Sequence, residues 1–299
     1  MKPFGTILCA TDLSTDGDEA LRHADALARL YHARLIVFHA LPDLARSSPL
    51  FPHLAQRDNA AFVGLERRVL EALRASAQTI TGRTDADVQF DLGFGSADAA
   101  IVEHATQKGA DLVVVGGAGP KGAARAFLGA VAERVVRHAH CPVWVARASP
   151  TEGPIVVGTD FSDPALPALE RGVDHARRVG AGLAAVHAIS MPILEVPGDS
   201  SDAPAFPVWS EEEIKDVRAR ATAKLTEALA RFGVEKHGVV EDGTPVEAIL
   251  STAEKLGARL ICVGTLGRTG LRRMLLGSVA EAVVRKAHCS VLIERLHPA

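Results

Sequence analysis

Gly264-Thr265-Leu266-Gly267, followed after nine residues by Gly277-Ser278, is the stretch on which the fold turns. Directly before it runs Leu260-Ile261-Cys262-Val263, apolar at every position. A near-copy stands at a constant offset of 148 residues (264 against 116): Leu112-Val113-Val114-Val115, then Gly116-Gly117-Ala118-Gly119, nine residues, and Gly129-Ala130. A short run that is apolar on both faces is the pattern of a parallel strand covered by helices on each side. A glycine loop between such a strand and a helix presents backbone N–H groups and a helix N-terminus to an anion such as phosphate. The expectation is an α/β chain with two nucleotide-type sites.

The same offset relates Asp12 to Asp160, His39 to His187, Gly95 to Gly243, Gly109 to Gly257 and Cys141 to Cys289. A repeat this long holds a whole domain rather than one supersecondary unit. The 299 residues fit two domains at roughly 150 residues each, and the expected division is 1–148 and 149–299. Within the first half the periodicities predict strands at Thr6–Ala10, Arg34–Ala40, Asp87–Leu92, Leu112–Val115 and Val143–Ala146. Helices are predicted at Asp16–Tyr31, Asn59–Ile80, Ala97–Gln107 and Ala130–His138. The second half repeats the order, with Ser210 as the expected N-cap of a helix over Glu211–Phe232. Residues 41–57 and 190–209, rich in Pro and Ser, read as long loops, either lids or plain connections. Each half ends in a short apolar strand, Val143-Trp144-Val145 and Val291-Leu292-Ile293, whose bare edge would expose unpaired backbone groups.

Composition narrows the classes. Apolar residues at 47% and charged residues at 23% are an ordinary globular mix. A net charge of −3 and only 4% aromatics give no basic surface or stacking platform for nucleic acid. No segment approaches the ~20 apolar residues of a membrane helix, and Asp12 cuts short the first apolar run, so the expectation is a cytoplasmic chain without a membrane partner. The four cysteines read as reduced structural thiols. His138-x-His140-Cys141 has a metal-like spacing, but Lys286 stands where a second copy of His138 would, so no metal site is expected.

In doubly wound sheets, ligands bind beyond the carboxyl ends of strands where the strand order reverses. Asp12 or Asp160 follows the first strand of each half, and the glycine loop follows the fourth. If those strands are neighbours, one pocket receives both a carboxylate for ribose or base and a loop for phosphates. Glycine suits the loop because a Cβ would block close approach and positive φ.

The pattern G-x2-G-x9-G-[ST] at Gly264, Gly267, Gly277 and Ser278 resembles the ATP-binding signature of the universal stress protein family. The flanking Leu275-Leu276-Gly277-Ser278-Val279-Ala280-Glu281 and Phe127-Leu128-Gly129-Ala130-Val131-Ala132-Glu133 resemble that family too. The resemblance spans both halves and implies tandem domains, each a five-stranded parallel sheet in order 3-2-1-4-5 with helices on both faces. It implies ATP as cofactor, with Mg2+ an open companion, held by Asp160, Ala188, Gly264, Gly267, Gly277, Ser278 and Val279; Arg268, inside the second loop, reads either as a solvated loop residue or as a cation that neutralises terminal phosphates. The matching first-half set is Asp12, Ala40, Gly116, Gly119, Gly129 and Ala130, where alanine replaces the hydroxyl donor. It also implies that the terminal strands pair across a two-fold, here within one chain as an internal pseudo-dimer, with further homodimerisation left open. A nucleotide-binding stress regulator is favoured over two alternatives: a slow ATPase or nucleotidyl transferase, since no Walker Lys-Ser/Thr pair follows the glycines, and a scaffold with vestigial sites. No catalytic residue is assigned, and the downstream partner is not named by the sequence.

Overall fold

The computed structural model describes residues 2–42, 60–84, 86–117, 128–150, 152–190, 209–234, 238–265 and 276–295. In the first half β1 (Thr6–Ala10) leads to helix α1 (Thr15–Tyr31), β2 (Arg34–Leu41), α2 (Ala60–Thr81), β3 (Val88–Phe94), α3 (Ala97–Lys108), β4 (Leu112–Gly116), α4 (Ala130–His138) and β5 (Val143–Ala146). The second half runs β6 (Ile155–Gly158), a 3-10 turn (Asp163–Ala165), α5 (Leu166–Val179), β7 (Leu183–Ile189), α6 (Glu211–Ala230), β8 (Gly238–Asp242), α7 (Pro245–Lys255), β9 (Leu260–Gly264), α8 (Ser278–Lys286) and β10 (Ser290–Glu294).

Among the described residues the strands form one ten-stranded sheet in the order β3-β2-β1-β4-β5-β10-β9-β6-β7-β8. Each half therefore has the order 3-2-1-4-5, parallel throughout. β5 and β10 pair antiparallel, Val145 opposite Val291, Trp144 opposite Leu292 and Val143 opposite Ile293. The two strand edges that would lie bare in isolated halves thus cover each other.

Two apolar layers, one on each face, run without a break through both halves. One face packs α3, α4, α7 and α8 around Val113, Val143, Val145, Ile261, Val291 and Ile293. The other packs α1, α2, α5 and α6 around Ile7, Cys9, Val114, Trp144, Val157 and Leu292. The alternation along β5 and β10 sends Trp144 and Leu292 to one layer and their neighbours to the other, so both layers close over the junction.

Local signals set the helix starts. Ser210 caps α6 in a full capping box with Glu213, and Thr244 with Glu247 does the same for α7, where Pro245 fills the first turn. All four cysteines are free and buried. Burial pushes the Cys141 thiol up to about 12 and the Cys289 thiol up to about 11, and raises Cys9 and Cys262 as well, so all stay protonated.

Side chains also cross the junction. Arg171 on α5, paired with Glu294 of its own half at 3.0 Å, reaches across to the Lys2 carbonyl at 3.3 Å, with its guanidinium 4.0 Å from the Phe4 ring centroid. Tyr31 on α1 bonds Nδ1 of His175 on α5 at 3.0 Å.

Candidate functional site

Each half opens a cavity at the carboxyl ends of its first and fourth strands, the position where the strand order reverses. In both, the turn after the first strand is built by one rule. Thr11 Oγ1 accepts the N–H of Leu13 at 3.0 Å, and Asp12 Oδ1 accepts from Ser14 N at 3.0 Å and Ser14 Oγ at 2.5 Å. Thr159, Phe161, Asp160 and Ser162 repeat it, at 3.2, 3.0 and 2.5 Å. The middle residue of each turn, Leu13 or Phe161, sits at φ 63°, a left-handed conformation uncommon for a bulky residue and retained here by the flanking side-chain bonds. The turn fixes the aspartate: its Oδ1 is committed to the serine, and the carboxylate lines the cavity.

The opposite wall is the start of α4 or α8. Gly129 and Gly277 are the N-caps, and neither has a side-chain capping bond. Their φ is −64° in both, so the expected need for positive φ is not met at these positions, and the structure corrects that expectation. Gly116 has a different constraint: a Cβ there would stand 2.7 Å from the carbonyl oxygen of Asp16, against the first turn of α1.

The second cavity, of about 320 Å³, is lined by Asp160, Ala188, Gly264, Gly277, Ser278 and Val279 among others. The first, of about 300 Å³, is lined by Asp12, Ala40, Gly116, Gly129 and Ala130. The expectations on Gly119, Gly267, Arg268 and most of the two Pro-rich loops fall outside the described residues. The sequence reading missed the third wall, Pro245 and Ile249 of α7 or Ala97 and Ile101 of α3. Pro245 behind a capping threonine marks a helix start, but nothing local says that the helix turns this face to the cavity.

His39 and His187 lie beside the aspartates, and Nδ1 of each meets the carbonyl of Thr11 or Thr159, at 2.8 and 2.9 Å. A carbonyl only accepts, so Nδ1 carries the proton and each ring is oriented by the first-strand turn. The arrangement therefore offers, in one cavity, an acceptor carboxylate, apolar side walls, and helix N–H groups that favour negative charge.

The model of the universal stress protein family matches residues 3–147 and again residues 153–295. The chain belongs to the universal stress protein family. A universal stress protein of Mycolicibacterium smegmatis is 29% identical over 301 residues, covering 97% of this chain and 96% of that one. One from Methanocaldococcus jannaschii is 36% identical over 142 residues, 46% of this chain and 79% of its own length. Among solved structures, the universal stress protein of Archaeoglobus fulgidus superposes with a TM-score of 0.65 at 21% identity, covering 97% of this chain and 98% of that one, and so shares its fold. The family match and the offset of 148 residues describe the same thing, a tandem universal stress protein fold. Among the described residues no helix is long and apolar enough to cross a membrane.

Proposed function

We propose that this tandem universal stress protein binds ATP in both cavities, more tightly in the second, and acts as a stress-response regulator read through its occupancy. The observation that carries the reading is the meeting, in one cavity, of the Asp160 carboxylate with the N-terminus of α8, whose N-cap Gly277 has no side chain to cap it. Ribose or base would bond the carboxylate, the backbone around Ala188 would line the adenine, and the phosphates would lie on Gly264, Gly277, Ser278 and the Val279 N–H. Gly267 and Arg268 belong to the same proposed set. In the first cavity Asp12, Ala40, Gly116, Gly119 and Gly129 take the same parts, and the Ala130 N–H stays while the hydroxyl of Ser278 has no equivalent. Mg2+ would bind with the phosphates rather than at a protein site.

One hydrogen bond to a charged group contributes roughly 1.5–3 kcal/mol, on the order of ten- to a hundredfold in affinity at about 1.4 kcal/mol per tenfold. Ala130→Ser should strengthen the first site, and Gly277→Val should close the second to phosphate. Calorimetric titration of the three proteins with ATP decides it. Equal affinities in the wild type, or an undiminished second site in the valine variant, would move the binding energy elsewhere. Hydrolysis should run far below the ~1–100 s⁻¹ of kinases, because no Walker Lys-Ser/Thr pair follows the glycines and no motif places a base for an attacking water. A steady-state rate in the kinase range at saturating ATP and Mg2+ would replace the regulator reading with the enzyme one.

A further inference from the structure

The helices that start at the two cavities end against each other's half. Arg147, just after β5 of the first half, donates from Nη2 to the carbonyl of Val284 in the last turn of α8 at 2.5 Å. Arg295, its counterpart after β10, donates from Nη2 to the carbonyl of Val136 in the last turn of α4, also at 2.5 Å. Each guanidinium therefore satisfies a terminal carbonyl and lies at the negative end of the other half's cavity helix.

The same two segments hold the glycine turns. Gly117 N–H donates to the Ala146 carbonyl at 2.9 Å, and the N-cap Gly129 donates to the Gly117 carbonyl at 3.0 Å. In the second half Thr265 donates to Glu294 at 3.0 Å, and Gly277 donates to Thr265 at 2.8 Å. The Arg147 side chain also packs under Gly117, whose added Cβ would stand 3.0 Å from Arg147 Cγ. The links close on themselves. From the start of α4 they run through Gly117, Ala146 and Arg147 to the end of α8, and from the start of α8 through Thr265, Glu294 and Arg295 back to the end of α4. An ion network braces the two helices, first turn to last turn, with Arg285 on Glu133 at 2.7 Å and Arg137 on Glu281 at 3.4 Å.

We propose that Arg147 and Arg295 are positioning residues that couple the two cavities, so that filling one raises the affinity of the other. This rests on the reading that both cavities take nucleotide. Anchoring phosphate at the start of α4 fixes Gly129 and Gly117, and with them the segment that carries Arg147. The guanidinium is then already held on α8 when the second nucleotide arrives, and less ordering remains to be done. Linkage makes the effect reciprocal, with the same factor in both directions.

The test is calorimetric titration of the full chain with ATP, for the wild type, an Arg147→Met/Arg295→Met pair and an Arg147→Lys/Arg295→Lys pair, each checked for a cooperative melt. The wild type should show an interaction factor on the order of 5- to 20-fold between sites. The methionine pair should bring it to one. The lysine pair keeps a donor but is one bond shorter and lacks the planar fork, and should give an intermediate factor. Should the methionine pair fail to fold, the lysine pair carries the test: an unchanged factor there overturns the coupling. Two independent sites in the wild type, or an undiminished factor in the methionine pair, overturn it too while leaving the nucleotide reading standing. Absence of any ATP binding removes the nucleotide reading and the coupling with it.

Discussion

Gly116 shows how one residue can look like a ligand contact and be held by something else. In the sequence it opens a phosphate-type loop, yet its missing side chain is required first by the Asp16 carbonyl 2.7 Å from where a Cβ would be. Gly116→Ala should therefore destabilise the chain by about 1–3 kcal/mol through forced backbone movement, with no ligand present. Urea denaturation of the ligand-free protein checks this, and an unchanged midpoint would return Gly116 to a purely ligand-facing role. The aspartates were legible as pocket residues because each follows the first apolar strand of its half at the same repeat offset; that Ser14 and Ser162 fix them was not. The left-handed Leu13 and Phe161 were not legible, because neither residue type signals positive φ.

Helix packing at the junction carries a pH dependence. His175 on α5 is buried against Tyr31 of α1 and Trp144 of β5, with ring centroids 6.0 and 5.4 Å away. Burial lowers its pKa to about 4, and the charges of Arg259, Arg171 and Arg178 push the same way while Asp174 opposes them. The unfolded chain, with an imidazole near 6.5, binds the proton first. Stability from this neutral histidine is thus fully present above pH 6.5 and declines as pH falls toward 4. At about 1.4 kcal/mol per pKa unit, the decline from pH 7 to pH 5 is about 2 kcal/mol. His175→Gln should lose that part of the acid sensitivity, so wild-type and variant stabilities should converge from pH 7 to pH 5. Parallel urea-derived stability curves across that range would assign the acid response to other groups.

Across the whole molecule the decisive contact is β5 on β10, which joins two five-stranded sheets into one and closes both apolar layers. A fragment of residues 1–148, cut at the proposed domain boundary, would expose the β5 edge beside Trp144. That edge should pair with a second copy in the antiparallel sense it uses here, giving a fragment dimer by sedimentation equilibrium. A stable monomeric fragment would show that the second half is not replaceable at this edge.

The sequence by itself determined the alternation of strands and helices, the duplication and the family, because periodicity, caps and motif spacing are local properties of the chain. Only the tertiary structure decided the third wall of each cavity and the crossing of Arg147 and Arg295 to the opposite half. In sequence those arginines are charges at strand ends, like any solvated surface residue. Their partners lie 137 and 159 residues away, and contacts over such separations are set by how the two layers pack around the junction.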